Sequence, residues 1–172
     1  MTRITALTLD QAPAGSRAAL ENVQKNYGFI PNGIKTLAHA PAALNGYLAL
    51  AQAMGKSSLS AAEREVVALA TSEVNGCDYC IAAHSFLGEK AGLSKDAIGQ
   101  ARSGELSALA TLARQITESR GHLTDDQLAA AHDAGLTDSR IVEVVAQVAQ
   151  LTLTNYLNNL AVTEVDFPPS AR

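Results

Sequence analysis

Tryptophan is absent from the 172 residues, and phenylalanine and tyrosine together supply only 4% of them. A β-sandwich core draws on aromatic and β-branched side chains, so their scarcity weighs against one. Basic residues are not in excess either: 13 Lys and Arg stand against 17 Asp and Glu, a net charge of −4. With no basic stripe along the chain, a nucleic-acid partner is not expected. No run approaches the ~18 uninterrupted apolar residues of a membrane span. Met1-Thr2-Arg3 leads into a polar segment without an apolar signal region, so a cytoplasmic location is the expectation. Internal repeats, low-complexity stretches and glycine-rich phosphate loops are missing as well. Cysteine is scarce: there are two, Cys77 and Cys80.

What is present is alanine, leucine and valine in helical periodicity. Hydrophobic residues make up 47% of the chain, a composition that suits closely packed helices. The length suits one domain, residues 1–172, with residues 1–15 as an extended arm that docks on the body or on a neighbouring subunit. Short helices are expected over 16–26 and 34–39, separated by the turn Tyr27 to Gly33, in which Pro31 pushes Ile30 out of the α region. Pro41 is placed to open the next helix, ending near Met54 and burying Leu44, Leu48 and Ala51. Ser60 with Glu63 fits a capping box, and Thr124 with Gln127 resembles a second one. Ser94 and Thr137 cap two more helices, and a longer amphipathic helix runs over 105–120. The longest, over 141–163, is apolar nearly all round, Val145 and Leu160 included, which places it at the centre of the bundle or in a subunit interface. The expected fold is all-α: an antiparallel bundle of seven to nine helices with αα-hairpins as its unit.

The chemistry concentrates between Ser60 and Gly92. Val66, Leu69, Ala70 and Val74 mark the buried stripe of one helix, and Asn75-Gly76 ends it. A second helix begins near Cys77 and carries Ile81, Ala82, Phe86 and Leu87 before Gly92 closes it. Cys77, Cys80 and His84 then lie on one face of it, one turn apart. Unpaired N–H groups and the positive dipole end at a helix N-terminus favour a thiolate, the nucleophilic form. A histidine that accepts the proton favours it further. Cys80, one turn before His84, is the expected attacking thiol, and Cys77, nearer the helix start and more exposed, the resolving one. Cβ atoms three apart on a helix lie about 5–6 Å from one another, whereas a disulfide wants about 3.5–4.5 Å. A bridge must therefore distort the first turn, and a strained bridge is readily reduced. Glu65 is placed to orient His84, or to hold a water that passes its proton on, if the two helices pack antiparallel. Tyr79 is expected to pack its ring beside the thiols. His39, His122 and His132 are scattered and read as structural or solvated. Half of a zinc site and a pair of inert buried thiols are the bland alternatives, but structural zinc wants four ligands and no second Cys/His pair sits at suitable spacing.

The spacing E-x11-C-x2-C-x3-H, carried by Glu65, Cys77, Cys80 and His84, resembles the signature of the alkylhydroperoxidase D-like proteins within the carboxymuconolactone decarboxylase superfamily. The F-I-P-N turn from Phe29, the P-A-A-L-N helix start, L-S-A-A-E-R-E and the closing T-E-V-D-F-P from Thr163 to Pro168 extend the resemblance, most closely to the peroxidase-related branch. It implies an all-helical fold assembling into homo-oligomers, often trimers or hexamers. It also implies a catalytic set of Cys80, Cys77, His84 and Glu65 that reduces a hydroperoxide with no cofactor and no metal. The second cysteine would become a sulfenic acid, the first would resolve it as a disulfide, and a lipoyl-carrying or thioredoxin-like dithiol would restore the enzyme. Some members carry a histidine beside the second cysteine, where this chain has Tyr79, which implies a shorter proton relay. Decarboxylases of the superfamily lack the cysteine pair, so decarboxylation is not expected. A redox sensor whose bridge alters assembly without turnover is the alternative.

Overall fold

A computed structural model describes residues 1–167; Pro168, the last residue of the closing motif, lies outside them. Among the described residues there are nine helices and no strand: α1 (Ala14–Tyr27), α2 (Asn32–Leu37), α3 (Pro41–Met54), α4 (Ala61–Val74), α5 (Asp78–Lys90), α6 (Lys95–Ser103), α7 (Ala108–Ser119), α8 (Asp125–Asp133) and α9 (Asp138–Ala161). The all-α expectation holds. None of these helices is long and apolar enough to cross a membrane.

Local chemistry accounts for most boundaries. Both capping boxes form: Ser60 and Glu63 exchange backbone N–H bonds at the start of α4, and Thr124 and Gln127 do the same for α8. Ser94 and Thr137 cap α6 and α9 as expected. The helix expected from residue 105 begins only at Ala108, because the side chain of Ser107 accepts the N–H of Ala110 and makes a cap there. Leu106 falls outside that helix and packs with Val66, Leu69 and Ile98.

The centre of the bundle is α4, which packs against α5, α6, α7 and α9. Every side chain from Val66 to Ser72 is buried, a wider face than the expected stripe, while Val74 is only half-buried. Small side chains at Ala68 and Ser72 let neighbours approach on that added face. Leu59, Val67, Leu112, Val144 and Val148 form the main core cluster between α4, α7 and α9. Leu112 is 1% exposed in it, so Leu112→Ala is expected to cost about 2–5 kcal/mol in urea unfolding by the lost transfer energy and the cavity left behind. A loss under about 1 kcal/mol would show this layer to be loosely packed.

The longest helix is turned differently from its hydrophobic pattern. Gln147, Gln150, Asn155 and Asn158 face inward and are buried, whereas Val145 and Leu160 are exposed at 47% and 61%. Val142, Val145, Ala149, Leu153, Tyr156 and Leu160 form an exposed stripe at spacings of three and four along α9. Of the buried amides, Asn155 bonds Ser72 and Asn75, and Asn158 bonds Cys80, so this face is held inward and the apolar remainder is left outside.

The N-terminal arm docks on the body of its own chain. The N–H of Arg3 donates to the carbonyl of Ala161 at 2.7 Å, Nε2 of His39 bonds the carbonyl of Thr5 at 2.8 Å, and Ala12 is buried.

Candidate active site

Helices α4 and α5 are joined by Asn75, Gly76 and Cys77, with Gly76 at φ +60°, a conformation that suits glycine. So short a connection returns the chain antiparallel. Glu65, one turn into α4, thereby meets His84, near the middle of α5: Nδ1–H of His84 donates to Oε2 of Glu65 at 2.7 Å. Both side chains are mostly buried, 17% and 19% exposed. Burial pushes the imidazole pKa down, but the charge and hydrogen bond of Glu65 and the nearby Cys80 outweigh it, leaving His84 above its ordinary value. The structure thus brings the carboxylate and the imidazole of the motif into direct contact.

Cys77 is the N-cap of α5, and its sulfur accepts the N–H of Cys80 at 3.3 Å. The expectation that it is the more exposed thiol is wrong: Cys77 is 0% exposed and Cys80 3%. As the cap, its side chain folds back on the first turn of the helix and packs with Tyr79, whose ring is backed by Phe167. Cys80 instead lines a cavity of about 360 Å³, together with His84, Tyr79 and Asn158. Cys77 is not among the residues lining it. Both cysteines are free thiols.

The environment divides the two sulfurs. A hydrogen bond from Cys77 to Cys80 contributes most to holding the Cys80 thiolate, against the opposing effect of burial. The charge of His84 and the amides of Asn158 and Asn155 add to it, bringing Cys80 down to about 6. Cys77, as donor in that bond and as a buried group, is driven strongly upward. Near neutral pH the pair therefore holds one thiolate, on Cys80, and one proton, on Cys77. Alkylation of Cys80 by iodoacetamide is expected to rise through pH about 6 and level off above it, since only the thiolate reacts. Cys77→Ala removes the main donor and should move that midpoint up by about one to two pH units. An unmoved midpoint would mean that the cap thiol does not hold the charge.

Asn158 carries information that the motif does not. Its Nδ2–H donates to Sγ of Cys80 at 3.3 Å from α9. Behind it, Asn155 donates to Ser72 at 3.1 Å and accepts from Asn75 at 2.9 Å, tying α9 to the end of α4. The signal available in the sequence was polar residues spaced along the face of a helix otherwise rich in apolar side chains.

Tyr79 does pack beside the thiols, but its hydroxyl is committed elsewhere. The oxygen accepts the N–H of Gly33 at 2.9 Å, and its O–H donates to Asp166 Oδ1 at 3.0 Å. Gly33 lies inside α2 and not in the preceding turn; a Cβ there would come 2.9 Å from the Tyr79 ring and 3.0 Å from Asn158 Oδ1. Asp166 also accepts the N–H of Asn32 at 2.8 Å, so the segment after α9 is strapped across the start of α2. Phe86 and Leu87 are half-buried because they line the cavity, as do Leu48 and Ala51 of α3. Among the described residues, no three His, Cys, Asp or Glu side chains converge as a metal ion would require. His39 and His132 bond backbone carbonyls, of Thr5 and Leu136.

Residues 41–118, which hold all four motif residues, match the model of the Carboxymuconolactone decarboxylase family. Over this segment the chain is similar to that family, and the segment carries the spacing that resembles the alkylhydroperoxidase D-like proteins. The alkylhydroperoxidase AhpD core of an uncharacterized peroxidase-related protein from Ralstonia eutropha JMP134 superposes with a TM-score of 0.84 at 24% identity, covering 96% of this chain and 92% of that one. A second uncharacterized peroxidase-related protein, from Silicibacter sp. TM1040, gives 0.78 at 22% identity, covering 94% and 91%. A cysteine-to-alanine variant of the debrominase Bmp8, in complex with 2,3,4-tribromopyrrole, gives 0.79 at 19% identity, covering 96% and 92%. These likenesses establish the fold. No curated protein matches the chain.

Proposed function

We propose that the protein is a cofactor-free thiol peroxidase that reduces hydroperoxides through a Cys77–Cys80 dithiol cycle. The observation that carries this reading is that Cys80, the sulfur held as a thiolate, is the one that opens on the cavity, with the His84–Glu65 pair beside it.

The Cys80 thiolate attacks the distal oxygen of the hydroperoxide; the O–O bond breaks, and the leaving alkoxide takes a proton from the His84 imidazolium. The products are an alcohol and a sulfenic acid on Cys80. Cys77 gives up its proton and attacks that sulfur, the S–O bond breaks, and water leaves as the S–S bond forms. An external dithiol then reduces the bridge and is itself oxidised to a disulfide. Overall, one hydroperoxide and one dithiol give one alcohol, one water and one oxidised dithiol. His84 is thus an acid in the first step, its proton held by Glu65, a positioning residue.

Burial of Cys77 leaves Cys80 as the sulfur that a reductant reaches through the cavity. A slender dithiol, free or on a lipoyl-like arm, fits that route better than a bulky thioredoxin-like surface. A reducing, cytoplasmic setting would keep both thiols free between turnovers. The exposed apolar stripe on α9 supports assembly into a homo-oligomer, trimer or hexamer, through that face. Peroxide-dependent oxidation of dihydrolipoamide tests the activity: equal yields of alcohol and oxidised dithiol are expected, and consumption no faster than the reagents alone would overturn it.

A second reading draws on the aromatic lining of the cavity and on the debrominase fold. A dithiol can also replace the bromine of a bromoarene by hydrogen, releasing bromide and a proton as the disulfide forms. Bromide release from tribromopyrrole, with no alcohol formed from hydroperoxides, would favour it over peroxidase activity.

A further inference from the structure

The chain has three Phe and four Tyr, and six of these seven side chains line the cavity described above, which reaches Cys80: Tyr27, Phe29, Tyr47, Tyr79, Phe86 and Phe167. They come from the end of α1, the turn after it, α3, α5 and the strap that follows α9. Elsewhere the protein builds its interior without them: the clusters between α4, α7 and α9, and between α4, α6 and α7, contain no aromatic residue. General packing therefore does not explain where the rings are placed.

We propose that this cavity selects an aryl-bearing hydroperoxide, with its ring among Phe29, Tyr79, Phe86 and Phe167 and its peroxide group at Cys80. The proposal rests on the thiol peroxidase reading and names its substrate class.

Size, geometry and charge agree on this class. An apolar cavity of roughly 150 Å³ takes up a benzene molecule. A space of about 360 Å³ therefore holds a ring and its substituents. Hydrogen peroxide, about the size of a water at ~30 Å³, would leave most of it unfilled. The Phe167 ring centroid lies 5.7 Å from Phe29, 5.8 Å from Tyr79 and 5.9 Å from Phe86, at interplanar angles of 68°, 78° and 51°. Edge-to-face and tilted contacts in this range are the arrangement aromatic rings prefer, so these walls already accommodate one phenyl group of the chain itself. Phe167 is fixed there by its neighbour, since Asp166 accepts from both the Asn32 N–H and the Tyr79 O–H. Besides the reacting Cys80 thiolate, the charged side chains lining the cavity are His84 and Lys90, and Lys90 Nζ stands 4.3 Å from the centre of the Phe86 ring. Among the described residues, no carboxylate side chain lines the cavity, so nothing there calls for a cationic substrate, and a neutral or anionic one can face Lys90.

Cumene hydroperoxide and tert-butyl hydroperoxide differ by a phenyl in place of a methyl, and they test the proposal directly. The wild-type protein is expected to favour the cumene compound in kcat/KM by ~10- to 100-fold, the range that hydrophobic pockets achieve. In Phe86→Ala and in Phe167→Ala that ratio should collapse toward one. Calorimetry on the Cys80→Ser variant supplies an arm independent of turnover: 2-phenyl-2-propanol should bind saturably and tert-butanol should not. Reduction of both hydroperoxides at equal kcat/KM would overturn the aryl assignment while leaving the peroxidase activity standing. If neither hydroperoxide is reduced, the peroxidase assignment fails, and the calorimetry alone decides whether the cavity takes an aryl group. Equal binding of the two alcohols would then overturn that too.

Discussion

Cys80→Ser is expected to lower peroxide-dependent dithiol oxidation by about three orders of magnitude or more, to the background of the reagents, because loss of a nucleophile removes the whole covalent route. Cys77→Ser should behave differently. Its Cys80 still faces the cavity and is still flanked by His84 and Asn158, so the first attack proceeds. Without a resolving thiol, the variant stops after about one turnover as a sulfenic acid, unless the supplied dithiol resolves it directly. A burst of one alcohol per protein, followed by a slow phase that depends on dithiol concentration, is the expected trace. Full steady-state activity in Cys80→Ser would remove the proposed role of that sulfur.

The second large effect lies in the relay. His84→Gln should reduce kcat/KM by about 10²- to 10³-fold, the usual contribution of a positioned proton donor. It should also raise the pH at which Cys80 ionises, because the imidazolium charge beside the thiolate is gone. Glu65→Gln keeps the hydrogen-bonding shape but loses the charge that holds His84 above its ordinary value. The sign follows from the two groups. Activity rises as Cys80 loses its proton near pH about 6 and falls as His84 loses its own at higher pH. In Glu65→Gln the falling limb should move to lower pH, narrowing the active window from above. A merely structural role for Glu65 would lower activity without moving that limb.

Much of this site could be read before the fold was known, since it is local. Ser60 and Glu63 start α4, Asn75-Gly76 turns the chain, and Cys77, Cys80 and His84 follow at helical spacing. Once the hairpin closes, Glu65 has little choice but to meet His84. The remainder depends on contacts between distant segments, which periodicity does not encode. Asn158 reaches Cys80 across 78 positions of chain, and Asp166 reaches Tyr79 across 87. Cys77 was expected to be the more exposed of the two thiols because it lies nearer the helix start; what buries it is Tyr79 with Phe167 behind it, a residue ninety positions further on. The apolar character of α9 was legible, but which face turns inward was decided by the partners waiting for its amides, Ser72, Asn75 and Cys80. The six cavity aromatics show no pattern along the sequence, because five separate stretches deliver them.

One equivalent of hydroperoxide, followed by trapping of sulfenic acids and mass spectrometry of Cys77→Ser beside Cys80→Ser, tests the assignment of the two sulfurs most directly. The expected result is a trapped sulfenate on Cys80 in the first variant and none on Cys77 in the second. A sulfenate on Cys77 when Cys80 is absent would contradict it.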